Sequence, residues 1–337
     1  KDFSVYQVCN TTTSQRTIVD AYVCDENGNK VTTDSNMIAI EMAISPSEGS
    51  PIVWSMATWR NSFADPFQIK VYMNEGQHID NAEGQIIPEI VVERTIDIAN
   101  DMICPQLDPF EIHNDGFTAS NGNVISYALA KPAEDGKTHA LVVWNHGIGE
   151  TGENVLIDLL GNEVTALGGE EFQTVFEGAY VLVPQRRNGT QVESVFELIE
   201  KVVAENPGID PDRVIVGGCS AGGGTTLSLI KAHPDYFAAA YPICPAGSIS
   251  EEEAKVRKDR HVLTNAVGIF PSLSLDISFS LFHLLIQSLL RMYSIPYSQD
   301  TVPSILLIHI RTHYKNIQCY SLPSYIHLLM LNKALYD

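Results

Sequence analysis

Basic residues are scarce in this chain: 21 Lys and Arg stand against 41 Asp and Glu in 337 residues, a formal charge of −20. That balance repels a nucleic acid backbone and an anionic membrane surface, so neither is an expected partner. There is no Cys-x-x-Cys pair; Cys9, Cys24, Cys104, Cys219, Cys244 and Cys319 are scattered. This spacing offers nothing to a zinc site or a dithiol redox motif, and no metal or cofactor is expected. Cys9 and Cys24 could face each other across neighbouring amino-terminal strands, as a disulfide or as two buried thiols. An uninterrupted membrane span is missing too. The most apolar run, 270–290, contains Asp276, His283 and Gln287 and reads as buried, with no membrane insertion expected. No signal peptide is visible, although the chain opens at Lys1 inside a strand-like stretch, as it would after removal of a leader. What is present, 45% hydrophobic and 18% charged residues, fits a globular chain long enough for two domains.

Residues 1–105 read as short strands broken by turns. Phe3–Val8 alternates, Thr17–Val23 follows, Asn27-Gly28-Asn29 turns, and Met37–Met42, Phe67–Val71 and Ile90–Val92 supply more. Such a series without helical periodicity predicts a β-sandwich of about 100 residues. Trp54 and Trp59 are expected to fill its core, with carbohydrate stacking as the other reading. From Phe117 onward the pattern changes to apolar strands alternating with amphipathic helices, the mark of a mostly parallel sheet covered on both faces. Ile125–Leu129, Ala140–Trp144, Ala179–Pro184, Val214–Val216 and Phe237–Ile243 are its strands. A helix between them is well marked: Thr190 is a candidate cap with Glu193 in capping-box spacing, and Val192, Val195, Phe196, Ile199, Val202 and Val203 line one face.

The densest chemical signal is Val214-Ile215-Val216-Gly217-Gly218-Cys219-Ser220-Ala221-Gly222, which runs into a helix over 225–233. An apolar strand, a Gly-x-Ser-x-Gly turn and a helix make a nucleophile elbow, the centre of the α/β-hydrolase fold. Ser220 would sit at a strained angle, so Gly218 and Gly222 must be small where strand and helix pass. The helix start behind the serine favours negative charge developing on a substrate oxygen. A second loop, Asn145-His146-Gly147-Ile148-Gly149, ends an earlier strand, and Gly147 and Gly149 let it bend. Its Ile148 N–H, with that of Ala221, would form the oxyanion hole. A phosphate-cradling role is disfavoured because no Gly-Lys-Ser/Thr follows. His146 reads as a lock for this loop and His233 as a helix-end residue. Arg186 and Arg187 read as surface residues or as contacts to a polar substrate group.

The acid and the histidine of such a triad follow the serine in chain order. Asp276 is the candidate acid, with Asp300 as the alternative; His327 is the candidate base, with His313 as the alternative. All four lie in a stretch of altered composition. Residues 261–337 hold no Glu, one glycine and five of the ten histidines. Either a helical cap or edge region, or a shift of reading frame after about Arg260, accounts for that change.

The elbow, the loop Val142–Gly152, the strand Ala179–Gln185 and the Ile209-Asp210-Pro211-Asp212-Arg213 lead-in together resemble secreted bacterial esterases, the feruloyl-esterase and polyhydroxybutyrate-depolymerase-like group. The β-rich first part is similar to the immunoglobulin-like domain that some of these esterases carry. The likeness extends over roughly residues 1–250. It implies an immunoglobulin-like sandwich at 1–105 and an α/β-hydrolase domain at 106–337. It also implies Ser220 as nucleophile, Ile148 and Ala221 as oxyanion donors, and a small-molecule or polysaccharide-linked ester as substrate, met outside the cell, in the periplasm or at the cell surface. The group's Asp-bearing strand end and Trp-flanked His are not found after residue 250, and all three Trp lie at or before 144. A serine peptidase of prolyl-oligopeptidase type shares the architecture, although no propeller repeat precedes the domain. A silent homologue that binds glycans or proteins is the remaining alternative.

Overall fold

The structure, a computed structural model, describes residues 2–44 and 48–250 and the backbone of His261 and Val262. These residues fall into two compact units, one reaching to Pro105 and the other starting at Gln106.

The first unit is all β apart from a single helical turn, α1 (Ile98–Asp101). Its strands are β1 (Phe3–Cys9), β2 (Thr12–Arg16), β3 (Ile18–Val23), β4 (Ile38–Met42), β5 (Ile52–Ser55), β6 (Arg60–Phe63), β7 (Phe67–Met73), β8 (Ile79–Asp80), β9 (Ile86–Ile87) and β10 (Val91–Thr95). β10, β7, β1 and β2 form an antiparallel sheet in that order, and β3–β4, β5–β6 and β8–β9 are two-stranded ribbons. Alternation along β7 sends Phe67, Ile69 and Val71 inward, and the register sets Val71 opposite Val5 of β1. This face packs on Ile40 of β4 and on Ile96 and Ile98, closing a core between two layers.

Two expectations for this unit fail. Trp59 lies in the β5–β6 turn at φ 57° and is 59% exposed, so it does not fill the core; Trp54 meets it edge-on with ring centroids 6.4 Å apart. The tight turn, not burial, fixes that tryptophan's place. Cys9 and Cys24 are both free thiols. Cys9 packs at the edge of the main core, whereas Cys24 is buried in a separate cluster with Met37 and Ala39, so the two do not face each other.

The second unit holds a seven-stranded sheet of β11 (Phe110–Thr118), β12 (Val124–Ala130), β13 (His139–Asn145), β14 (Ala179–Gln185), β15 (Ile209–Cys219), β16 (Ala239–Ile243) and β17 (His261–Val262). Its order is β11-β12-β14-β13-β15-β16-β17. β14, β13, β15, β16 and β17 run parallel, while β12 at one side is antiparallel to both of its neighbours, β14 and β11. The helices are α2 (Val155–Gly161), α3 (Glu170–Val175), α4 (Val192–Glu205) and α5 (Ala221–Ala232).

Because strands alternate their faces, β13 serves two cores. Ala140, Val142 and Trp144 meet Val155 and Leu159 of α2 and Phe172 of α3. Leu141 and Val143 meet Val195, Leu198, Ile199 and Val202 of α4. Such a strand must be apolar on both sides, which is why its sequence shows no alternation. Two local expectations need correction. α4 is capped at Gln191; Thr190 instead accepts from Arg187 N at 3.0 Å to close the preceding turn, and Glu193 pairs with His233. β15 starts five residues before the apolar run, because His139 of β13 pairs with Ile209 across Asp210-Pro211-Asp212. No helix among the described residues is long and apolar enough to cross a membrane.

Ile199 on α4 is fully buried, whereas Glu200 beside it is exposed. Ile199→Ala is expected to cost about 2–5 kcal/mol through lost contacts and a residual cavity. Glu200→Ala should stay within about 0.5 kcal/mol. Urea unfolding of the two variants checks both values.

Candidate active site

The carboxyl ends of β13 and β15 lie side by side, with Asn145 opposite Gly218 in the parallel register. Beyond that pair, β15 ends at Cys219 and α5 begins at Ala221, which leaves one residue to turn the chain. Ser220 makes the turn at φ 51°, ψ −115°, a conformation that L-residues rarely hold. The surroundings fix it there. Ser220 N donates to Ile243 O at 2.9 Å, and Ser220 O accepts from Ala246 N at 2.8 Å and Gly224 N at 3.0 Å. The serine is left exposed at the carboxyl edge of the sheet.

Sterics explain the flanking glycines. A Cβ on Gly218 would lie 2.2 Å from Asn145 O, and one on Gly222 would lie 1.9 Å from the same oxygen. Both distances are to backbone, so no side-chain motion relieves them. Gly147 is less constrained, since its nearest neighbour would be the movable Glu150 Oε2 at 3.1 Å. Gly149 is buried within a single 3₁₀ turn, Ile148–Glu150, that follows the loop. Ile148 N and Ala221 N each open a helical turn, where an N–H has no partner inside the turn itself. Gly147 lies close enough to the elbow that its added Cβ would be 3.5 Å from Cys219 Sγ. The loop and the serine turn therefore share one edge.

His146 is fully buried and holds the loop from inside. Arg186 N donates to its Nε2 at 2.9 Å, so the ring proton is on Nδ1, which donates to Gly147 O at 2.6 Å. Both nitrogens are thus committed to backbone, and the ring has no lone pair for the serine. His233 is the residue after α5; it stacks on Phe196 and bonds to Glu193 at 2.9 Å. Among the described residues no imidazole is hydrogen-bonded to the Ser220 hydroxyl. The candidate acids Asp276 and Asp300 and bases His327 and His313 lie outside the described residues.

The expectation for Arg186 and Arg187 is a place at the surface or against a polar substrate group. Arg187 does reach the rim, where it pairs with Asp115 and, at 3.5 Å, with Glu153. Arg186 instead turns inward. Its Nη1 donates to Thr225 Oγ1 at 2.7 Å, its Nη2 donates to His146 O, and its own carbonyl accepts from Gly152 N at 3.1 Å. Gln185, fully buried beside it, donates to Glu150 O at 2.6 Å.

Beneath this layer sits an acid that the sequence reading did not single out. Asp158 of α2 is fully buried, and neither of its carboxyl oxygens has a hydrogen-bond partner among the described residues. Burial pushes its carboxyl well above the ordinary carboxylate range, Glu150 pushes further in the same direction, and Arg186 opposes them. Burial in turn lowers the Arg186 pKa, against the pull of Asp158, Cys219 and Glu150. Only the position of Asp158 on the inward face of α2 hinted at burial; nothing in the local string marks its neighbours.

Comparison with known proteins agrees with this architecture. Residues 178–254, which carry β14, α4, β15, the elbow, α5 and β16, match the Prolyl oligopeptidase family. A solved thermostable esterase superposes with a TM-score of 0.61 at 22% identity, covering 77% of this chain and 72% of that one. The feruloyl esterase module of Clostridium thermocellum, solved with sinapinate, has a TM-score of 0.36 at 20% identity and covers 45% of this chain and 60% of its own. An esterase of Rhizomucor miehei gives 0.33 at 16%, covering 45% and 51%. No curated protein matches the sequence. The chain has an α/β-hydrolase fold preceded by an all-β unit. At this level of identity the likeness speaks to the fold alone.

Two outcomes are expected. Gly222→Ala should lower Tm by several degrees, because a methyl group must displace the Asn145 carbonyl, whereas Gly152→Ala, with neighbours no nearer than 3.9 Å, should not; differential scanning calorimetry compares them. The second concerns pH. The folded-state pKa of Asp158 lies above its unfolded value of about 4, so the folded protein binds the extra proton. Its stabilising contribution is therefore complete below about pH 4 and is lost as pH rises through the folded pKa. Asp158→Asn removes the titration and should flatten that decline in a series of Tm against pH.

Proposed function

We propose that this protein is a serine carboxylic-ester hydrolase with Ser220 as its nucleophile. The observation that carries the reading is an exposed serine at φ 51° between strand and helix, beside a loop that ends the neighbouring strand. Attack by the Ser220 Oγ on an ester carbonyl gives a tetrahedral oxyanion, which the Ile148 and Ala221 N–H groups receive. Collapse expels the alcohol and leaves acyl-Ser220; water then frees the acid. Asp276 and His327 are assigned by chain order to orient the imidazole and to move the proton. Motif resemblance directs the substrate toward feruloyl or other plant-polysaccharide-linked esters. The same resemblance supports an enzyme that works outside the cell, in the periplasm or at the cell surface, with the all-β unit as an immunoglobulin-like module.

A peptidase reading has one observation in its favour, the match of residues 178–254 to the Prolyl oligopeptidase family. A p-nitrophenyl butyrate assay run beside a prolyl p-nitroanilide assay separates the two. Ester turnover is expected, with little or none on the anilide. Ser220→Ala should reduce ester turnover by at least about 10³-fold and abolish labelling by a fluorophosphonate. Equal turnover in the variant would reject Ser220 as the nucleophile.

A further inference from the structure

Arg186 follows β14, yet its guanidinium reaches past the end of β13 to the helix behind the serine. The strands β14, β13 and β15 are adjacent in the sheet and parallel, so their carboxyl ends share one edge. At that edge Arg186 makes four bonds. Its N–H donates to His146 Nε2, its carbonyl accepts from Gly152 N, one Nη donates to His146 O and the other donates to Thr225 Oγ1. Three of these hold the two ends of the loop, 146 and 152. The fourth holds the first turns of α5, because Thr225 also donates to Ala221 O at 3.2 Å. The side chain therefore joins the two pieces of backbone that carry the Ile148 and Ala221 amides.

We infer that Arg186 is the positioning residue of the oxyanion hole, tying the loop that bears Ile148 N–H to the helix that bears Ala221 N–H. The inference rests on the esterase reading of Ser220. A planar fork suits the task, since its two Nη groups point at separate acceptors at fixed spacing; a lysine ammonium is a single point and cannot hold both in the same geometry. The neighbours agree with a built-in cation. Burial works against the Arg186 charge, and three acidic side chains work for it: Asp158 of α2, Cys219 at the elbow and Glu150 of the 3₁₀ turn. Arg186 Nε is buried and has no hydrogen-bond partner among the described residues, so bonding at this side chain is concentrated in the two Nη groups. Donors misplaced by a fraction of an ångström lose transition-state binding while ground-state binding is kept.

The test compares wild type, Arg186→Lys and Thr225→Val on p-nitrophenyl butyrate and on its thiono analogue, with circular dichroism as the check on folding. Sulfur is a poor acceptor, so a working oxyanion hole prefers the oxo ester. Arg186→Lys is expected to lower kcat on the oxo ester by about 10–10²-fold with KM nearly unchanged, and to shrink the oxo/thiono preference. Thr225→Val, which removes only one acceptor, should move both readings in the same direction by less. If Arg186→Lys does not fold, Thr225→Val decides alone. Wild-type kcat and preference in a folded Arg186→Lys, or equal losses on both esters, would overturn the positioning role while leaving Ser220 untouched. A wild-type protein that neither turns over esters nor labels at Ser220 would overturn the esterase reading, and this inference with it.

Discussion

Two backbones come closer together at the edge of this sheet than any side chain allows. Where α5 leaves β15, the carbonyl of Asn145 fills the space that a methyl group on Gly218 or Gly222 would need. That approach brings the end of β13 against the serine turn, and everything functional is arranged around it. A strand one residue longer, or a Cβ at either glycine, would separate loop from elbow. The φ of 51° at Ser220 follows from the same constraint, because a single residue has to reverse the chain from strand to helix. The Ile243 carbonyl and the Ala246 and Gly224 amides hold it in that state.

A polar layer supports the contact from below, and burying it is costly. His146, Gln185 and Asp158 are all fully buried, with Arg186 between them. Polar groups under a sheet edge are tolerated when their hydrogen bonds are made, and here most are made to the backbone of residues 146–152. Gln185 Oε1, Arg186 Nε and both carboxyl oxygens of Asp158 have no hydrogen-bond partner among the described residues. For Asp158 the raised pKa is the physical response: a carboxyl without partners favours its neutral form. The layer gives rigidity to a loop that has no regular hydrogen-bond ladder of its own.

What could be read from the sequence was what contiguous residues encode. The elbow needs only neighbours in the chain, so Val214–Gly222 announced strand, turn and helix together. The inward face of α4 followed from the period of Val195, Ile199 and Val202, and the double-sided burial of β13 from its unbroken apolar run. Contacts made at long range were not legible. Arg186 reaches residues about forty positions away on either side, and no local pattern separates such an arginine from its neighbour Arg187 at the rim. Thr190 had the chemistry of a cap but sits one residue too early. Trp59 had the composition of a core residue, yet a left-handed turn holds it outward. The strand start at Ile209 was hidden by Asp210-Pro211-Asp212, whose polar character belongs to the solvated end of β15.

The state of His146 affects how chemical modification of this protein is interpreted. Imidazole reagents such as diethyl pyrocarbonate attack an unprotonated, accessible ring nitrogen, and His146 offers none: one nitrogen carries the proton and the other faces the Arg186 amide inside the protein. Inactivation of the native protein by such a reagent would therefore report a different histidine. Sites acylated only after unfolding would include this one.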